Sequence, residues 1–421
     1  MTTVRLFLAI AASKSWHVHQ LDVNNAFIHG DLTEEVYMKL PKGYKPPPNI
    51  INLVRRLKKS LYGLKQASRQ WFAKLADCLI HQGFVPSQVD HSLFSKSVGA
   101  SYTCVLVYVD DLLVGGNDLA AINQLKLVLH QAFSIKDMGQ LKFFLGIEVA
   151  RNHSGIHLSQ RKYTLEILEE ADVLLSKPVS TPMDYKQHLS STHSDPYPDP
   201  SFYRRLVGKL IYLTTTRPDI SFATQQVAQY MSNPSNSHYQ AVTRILRYLK
   251  SAPSTDLFYP SNSTLHLKSF SDSDWASCLD TRRSVTGYCV YLGNALISWR
   301  SKKQQTISRS SCEAEYRAMA DTTCELQSLL YLLRDFQISH LQPAVLYCDN
   351  QSAVHIAENP TFHERTKHIE LDCHLVREKL QNGTIKLLHV SSLHQLADIF
   401  TKALPPALFS TLLSKLGVHN L

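Results

Sequence analysis

The sequence predicts a multidomain protein of α+β and α/β architecture. Three observations carry that reading. The chain has 421 residues, and at ~150 residues per domain it can hold two or three cores without covalent staples. Apolar residues make up 44% and charged residues 19%, ordinary proportions for a folded chain and too apolar for a disordered one. Strand-like and helix-like periods alternate toward both ends of the chain, and a Pro-, Ser- and Thr-rich stretch separates them.

Residues 14–22 read as a strand ending in Asp22, and 50–82 as helical. Residues 104–115 (C-V-L-V-Y-V-D-D-L-L-V-G) are two apolar runs around an aspartate pair, a hairpin pattern with acids at its tip. Residues 118–133 have helical spacing behind a possible cap at Asn117 or Asp118. Two more strands occupy 141–160. Pro178, Pro182, Pro196, Pro198 and Pro200 then mark 176–200 as a linker or extended crossing segment. Helical patterns follow at 201–216, 218–231 and 235–251, with Pro218 suited to a first helical position. After a break at 252–263, the order is three strands, a long helix (311–337), a strand (344–348), two helices, a strand (384–391) and a helix. Residues 405–417 read as a short amphipathic tail. The segments this suggests are 1–160, 161–263, 264–403 and 404–421.

Several function classes fall away. The longest apolar runs, such as Leu6 to Ala12, are far short of the ~20 residues of a membrane span. No cationic leader with a cleavage site is visible. The eight cysteines form no C-x-x-C pair, so neither a zinc ribbon nor a disulfide framework is suggested. A reducing compartment, cytoplasm or nucleus, fits better. The net charge is +9. Residues 55–74 hold seven basic side chains and no acid, and 282–309 hold six and no acid. Tyr62, Trp71, Phe72, Tyr288, Tyr291 and Trp299 are interleaved with them, a plausible nucleic-acid footprint unless the aromatics are core.

Acid pairs at turns are often only turn formers. Asp22, Asp110 and Asp111, however, lie where apolar strands emerge from a core. Carboxylates gathered there repel and need a counter-charge. Magnesium suits such oxygen ligands, and two ions about 3.5–4 Å apart can stabilise both reacting oxygens of a phosphoryl transfer.

The motifs around these acids resemble the C-terminal part of the Pol polyprotein of copia-type LTR retrotransposons. L-D-V-N-N-A-F-I-H-G-D-L (21–32), S-L-Y-G-L-K-Q-A-S-R-Q-W-F (60–72), Y-V-D-D-L-L-V-G (108–115) and F-F-L-G-I-E-V (143–149) occur in the family's order. The resemblance implies a reverse transcriptase palm with hairpin-borne aspartates over 1–160 and a helical thumb or connection over 161–263. Asp22 and Asp110 match its metal-binding aspartates, and Asp111 is their hairpin neighbour. Phe27 matches the aromatic set against the sugar 2′ position, or is a core side chain. Gly63, Gln66, Lys65 and Arg69 fall in the segment near template and nucleotide. Ser68 stands where the family usually has Pro. The chain begins within the family's polymerase domain, so the resemblance implies a missing fingers segment and a weak or dead polymerase.

A second set of acids lies further on, in F-S-D-S-D-W (270–275), S-S-C-E-A-E-Y (310–316), Y-C-D-N (347–350) and Q-L-A-D-I-F (395–400). Singly, Glu313 and Glu315 could serve a helix dipole and Asp349 could be a cap. In this order they resemble the RNase H domain that follows reverse transcriptase, with a mixed five-stranded sheet. S-W-R-S-K-K-Q (298–304), C-D-N-Q-S-A (348–353), R-T-K-H-I-E (365–370) and A-D-I-F-T-K (397–402) extend the match. The implied metal tetrad is Asp272, Glu315, Asp349 and Asp398. Asp274 shares a strand face with Asp272 and stays open as its alternative. Only one of Glu313 and Glu315 can face the metals. Arg300, Lys302, Lys303 and Arg309 are placed to meet phosphates.

The implied cofactor is Mg2+, two ions per site, with Mn2+ as the alternative. The implied partners are an RNA template, a DNA primer, an RNA–DNA hybrid and a second Pol chain. The competing reading is an inactive retrotransposon remnant that binds nucleic acid. His363, His368, His374, His389 and His394 cluster late but lack the paired spacing of a zinc site. His394, four residues before Asp398, is a weaker candidate for proton transfer.

Overall fold

A computed structural model describes residues 1–44, 53–191, 194–359 and 370–420. The R-T-K-H-I-E motif up to Ile369, with His363 and His368, lies outside these residues. The chain divides into two compact units, one of residues 15–141 and one of 1–14 with 142–421.

The 15–141 unit is a six-stranded antiparallel sheet. Its order is Val85–Pro86, Leu93–Val98, Ser101–Tyr108, Asp111–Gly116, His17–Val23 and Ile135–Gln140. Two helices cover one face. Ala67–His81 buries Ala67, Trp71, Leu75 and Leu79, an i, i+4 stripe. Leu119–Phe133 buries Ile122, Leu125, Leu129 and Phe133. The stripes close over Leu21, Val23, Val105, Val107, Leu112 and Val114. Asp118 caps the second helix by accepting from the Ala120 and Ala121 N–H groups.

Of the helix expected over 50–82, residues 50–52 lie outside the described residues, and from 53 onward the helix is confined to Ala67–His81. Val54–Arg56 is instead a strand paired with Tyr37–Lys39, and Gly63 at φ +95° takes the chain out of helical space before Ala67. The basic run is therefore not one helical face. Arg56 pairs with Glu35 at 3.0 Å, and Asp31 holds both Lys59 and Lys74.

Among the described residues the other unit contains two sheets. In the antiparallel one, Phe143–Phe144, Ile147–Asn152, Gly155–Ser159, Thr255–Pro260 and Val418–Asn420 lie side by side. Packing thus groups residues differently from the four segments read in the sequence. Strands on either side of 160/161 and of 263/264 share a sheet, and the tail contributes a strand after its helix Pro406–Lys415. The helix Thr2–Ser13, buried nearly all round, packs on this sheet and on Ala295–Lys303. Its Arg5 is buried with its guanidinium on the Thr215 carbonyl, 3.1 Å, and over the Trp299 ring.

Residues 176–191 and 194–199 are irregular and run against the helix Asn236–Ser251 and its approach, held by Val179 N–H to Arg247 O and Tyr197 N–H to Pro234 O. The helices Pro200–Leu213, Ser221–Ala228 and Asn236–Ser251 follow. Beneath them the buried Arg217 and Asp219 pair at 2.7 Å, and Tyr248 donates to the same carboxylate at 2.6 Å.

The second sheet is mixed and five-stranded. Its order is Ala295–Lys303, Val285–Leu292, Leu267–Asp274, Ala344–Cys348 and Ile385–His389. The first three strands are an antiparallel meander and the last two run parallel to the centre. The helix Ser311–Asp335 packs across it, and its N-terminal end carries Glu313 and Glu315. The last acid-bearing element is not an α-helix but the 3-10 turn Leu396–Phe400. Among the described residues no helix is long and apolar enough to cross a membrane.

Candidate functional site

Two groups of acids emerge. In the 15–141 unit, Val109 and Asp110 form the tip between Ser101–Tyr108 and Asp111–Gly116. Val109 has φ +56°, a costly conformation for a β-branched residue. The indole N–H of the buried Trp71 donates to the Val109 carbonyl at 2.6 Å and pins the tip. Asp22 lies opposite Asp111 on the adjacent strand. The Asp110 carbonyl accepts from the Val23 N–H at 2.9 Å. Gln20 donates to Asp111 at 3.0 Å, while burial pushes the Asp111 carboxyl upward against that bond. All three aspartates are half-buried.

Phe27 lies in the 3-10 turn Ala26–His29, its ring 4.5 Å from that of Tyr62. The Tyr62 hydroxyl is pushed up by burial and then by the charges of Asp110 and Asp22. Tyr62 therefore belongs beside these acids, which its place in the basic run did not signal. Gly63 is exposed with open space around it. Gln66 donates to Glu34 at 3.1 Å, and Lys65 and Arg69 are exposed.

The second group is tighter and drier. Ligand atoms of Asp272, Asp349 and Asp398 lie within 4.8 Å of one another, and so do those of Glu315, Cys348 and Asp349. Asp272 is 2% exposed, and Glu315 and Asp398 are 6% exposed. Each comes from a different element: the central strand, the long helix, the end of the parallel strand Ala344–Cys348 and the 3-10 turn. Among the described residues the buried Glu315 Oε2 has no hydrogen-bond partner. The donor set is all-oxygen save the Cys348 thiol, which burial pushes up and keeps protonated. These residues could hold a divalent metal. Among the described residues, neither Asp22, Asp110 and Asp111 nor any histidine makes such a group. His394 instead bonds Ser391 at 2.9 Å.

The alternatives left open by spacing separate in geometry. Glu313 spends its carboxylate locally, accepting from the Arg309 N–H at 2.8 Å and from Arg317 at 2.9 Å. Glu315 faces the other acids. Asp272 joins the converging group, and Asp274 does not.

Four residues beyond the expected ones hold this arrangement. Thr401 donates to Asp272 and Ser392 donates to Asp349 at 2.8 Å. Gly287 lies opposite Asp272 in the sheet. A Cβ there would meet Phe400 and Thr401 at 2.8 and 2.5 Å, so glycine admits the loop carrying Asp398. Lys402 Nζ stands 3.0 Å from Asp398 and 3.5 Å from Asp272. Lys402 and Thr401 sit in the A-D-I-F-T-K motif, whose i, i+4 spacing was the available signal; Gly287 had none.

The electrostatics follow from crowding. Burial, then Asp272 and Asp349, holds the Glu315 carboxyl well above the usual range. Burial, then Asp272, raises the Asp398 carboxyl to about 7. Lys402 is pushed down by burial, but Asp272 and Asp398 lift it further up.

Of the expected phosphate-binding residues, Lys302 and Arg309 are exposed and Arg300 is half-buried. Lys303 is engaged by Gln229 at 2.6 Å. The groove beside Lys302 and Lys303, about 310 Å³, also has Asp321 and Asp372 in its wall, so this face is not uniformly basic.

Comparison with known proteins gives the family. The profile of the family described as "Reverse transcriptase (RNA-dependent DNA polymerase)" matches residues 1–185. The chain is 46% identical over 419 residues to the retrovirus-related Pol polyprotein from transposon RE2 of Arabidopsis thaliana, covering 99% of this chain and 29% of that protein. It is 36% identical over 430 residues to the corresponding polyprotein from transposon TNT 1-94 of Nicotiana tabacum, covering 100% and 32%. It is 32% identical over 309 residues to the putative transposon Ty5-1 protein YCL074W of Saccharomyces cerevisiae, covering 73% of this chain and 100% of that one. The chain spans less than a third of the length of either plant polyprotein. With its acid-tipped hairpin, its alignment to the two plant polyproteins over 99–100% of its own length and its 32% identity to the whole of the Ty5-1 protein, the chain belongs to the copia-type retrotransposon Pol family and carries a reverse transcriptase region.

Proposed function

We propose that this chain is the reverse transcriptase–RNase H part of a Pol polyprotein, and that its C-terminal acid cluster hydrolyses the RNA strand of RNA–DNA hybrids. The observation that carries the reading is that Asp272, Glu315, Asp349 and Asp398, from two strands, the long helix and the 3-10 turn, form two overlapping groups that share Asp349, with a buried Glu315 oxygen that has no hydrogen-bond partner among the described residues. Orphaned buried acceptors are expensive, and a cation relieves them. The strand order of that sheet, three antiparallel and two parallel, accords with the RNase H resemblance.

Two divalent ions, magnesium by preference, would activate water and stabilise the departing 3′ oxygen when bound. The chain's part is to hold and orient. Asp272, Glu315, Asp349 and Asp398 are the ligands; Thr401 and Ser392 fix the rotamers of Asp272 and Asp349. Arg300, Lys302 and Arg309 bind hybrid phosphates, and RNA is told from DNA by its 2′-hydroxyls. At the hairpin, Asp22 and Asp110 are the corresponding ligands for nucleotidyl transfer on an RNA template and DNA primer. Gln20 braces Asp111. The Phe27–Tyr62 pair excludes a ribose 2′-hydroxyl. A second Pol chain is the proposed protein partner.

The test is cleavage of an end-labelled RNA–DNA hybrid by the full chain in magnesium, beside Asp272→Asn. The expected result is cutting of the RNA strand only, abolished by chelator and by the substitution. A folded chain that binds the hybrid without cutting it would instead be the inactive, nucleic-acid-binding remnant.

A further inference from the structure

Lys402 stands in an unusual place for a lysine. The Lys402 N–H bonds the Asp398 carbonyl at 3.1 Å, which closes one turn and sets both side chains on the same side. The ammonium group then reaches 3.0 Å from Asp398 Oδ1 and 3.5 Å from Asp272 Oδ2, bridging the 3-10 turn to the central strand. The lysine side chain is 36% exposed, and the two carboxylates it joins are 8% and 3% exposed. Asp272 and Asp398 are also two of the three acids whose ligand atoms converge with those of Asp349. Without a cation, acids this close and this buried would drive each other apart.

We infer that Lys402 is a built-in counter-cation. It holds Asp272 and Asp398 together before metal arrives, and incoming divalent metal displaces it. This rests on the metal-cluster reading above. An ammonium group and a divalent ion with its ligand waters cannot both crowd the same carboxylate pair, so each binds at the other's expense. Lys402 thereby sets how much free metal is needed to load the site. A lysine that served hybrid phosphates would have no such effect in the absence of nucleic acid.

The experiment is thermal melting of the full chain without nucleic acid, first in chelator and then across a magnesium or manganese titration, for wild type, Lys402→Met and Lys402→Gln. In chelator the neutral variants melt lower than wild type. With metal they gain more, and the half-maximal metal concentration falls about tenfold. An unchanged or higher half-maximal concentration overturns the role of Lys402 while leaving the cluster reading intact. No metal response in wild type or variants overturns both. Should the neutral variants fail to fold, Lys402→Arg carries the test: retained charge keeps the half-maximal concentration within about threefold of wild type, and a tenfold fall overturns the inference.

Discussion

The two acid groups of this chain are built on opposite plans. At the hairpin, Asp22, Asp110 and Asp111 come from neighbouring antiparallel strands and remain half-buried. Their geometry is set locally by a turn strained at Val109 and pinned by Trp71. In the C-terminal cluster the acids are scattered from 272 to 398 in the sequence. They meet only through tertiary packing and are mostly shut away from water. Open acids on a sheet end can be solvated until substrate and metal arrive. Buried ones need standing compensation, which Lys402, Thr401 and Ser392 supply. The difference predicts that the second site is the more sensitive to metal, to pH and to single substitutions.

The largest expected effect is at the residue shared by both converging groups. Asp349→Asn lowers the rate of hybrid cleavage by about 10²–10³-fold, because a metal-borne stabilisation of several kcal/mol is lost. Single-turnover cleavage measures it, and a loss under tenfold would place the chemistry elsewhere.

A smaller effect is the pH dependence of the metal-free chain. Asp398 is held at about 7 against an ordinary 3.8, so the folded state favours its protonated form. That contribution to stability is complete below about pH 4 and is lost as pH rises through about 7. Melting temperature in chelator therefore falls between about pH 4 and 7, and Asp398→Asn flattens the fall. A wild-type profile that rises over this range would contradict the buried, crowded state of the cluster.

The smallest effect is at the hairpin. Trp71→Phe keeps the ring packing and removes the bond to Val109, costing the fold about 1 kcal/mol, read from urea unfolding. A neutral outcome would mean the tip holds its strained backbone without that tether.

Much of this was legible in the sequence because it is written locally. Apolar runs flanking Asp110-Asp111 specify a hairpin without reference to the rest of the chain. The order of acids around the second sheet follows the order of its strands and helices. What escaped was set by distant partners. Asp272 and Asp274 share a strand face, and the choice between them depends on where the 396–402 loop docks, which Gly287 permits from another strand. Glu313 and Glu315 differ because Arg309 and Arg317 claim the first. The stretch 53–66 has helix-like spacing, but Gly63 at φ +95° and the pairing of Val54–Arg56 override it. The sheet joining 143–159 to 255–260 and 418–420 could not be read from any local period.

The most direct test of the central claim is manganese anomalous scattering from crystals of the chain soaked in Mn2+. Manganese is expected on oxygens of Asp272, Asp349 and Asp398, with Glu315 as a further ligand and the Lys402 ammonium moved off Asp272. Full-occupancy manganese elsewhere, with Lys402 still bridging Asp272 and Asp398, would contradict it.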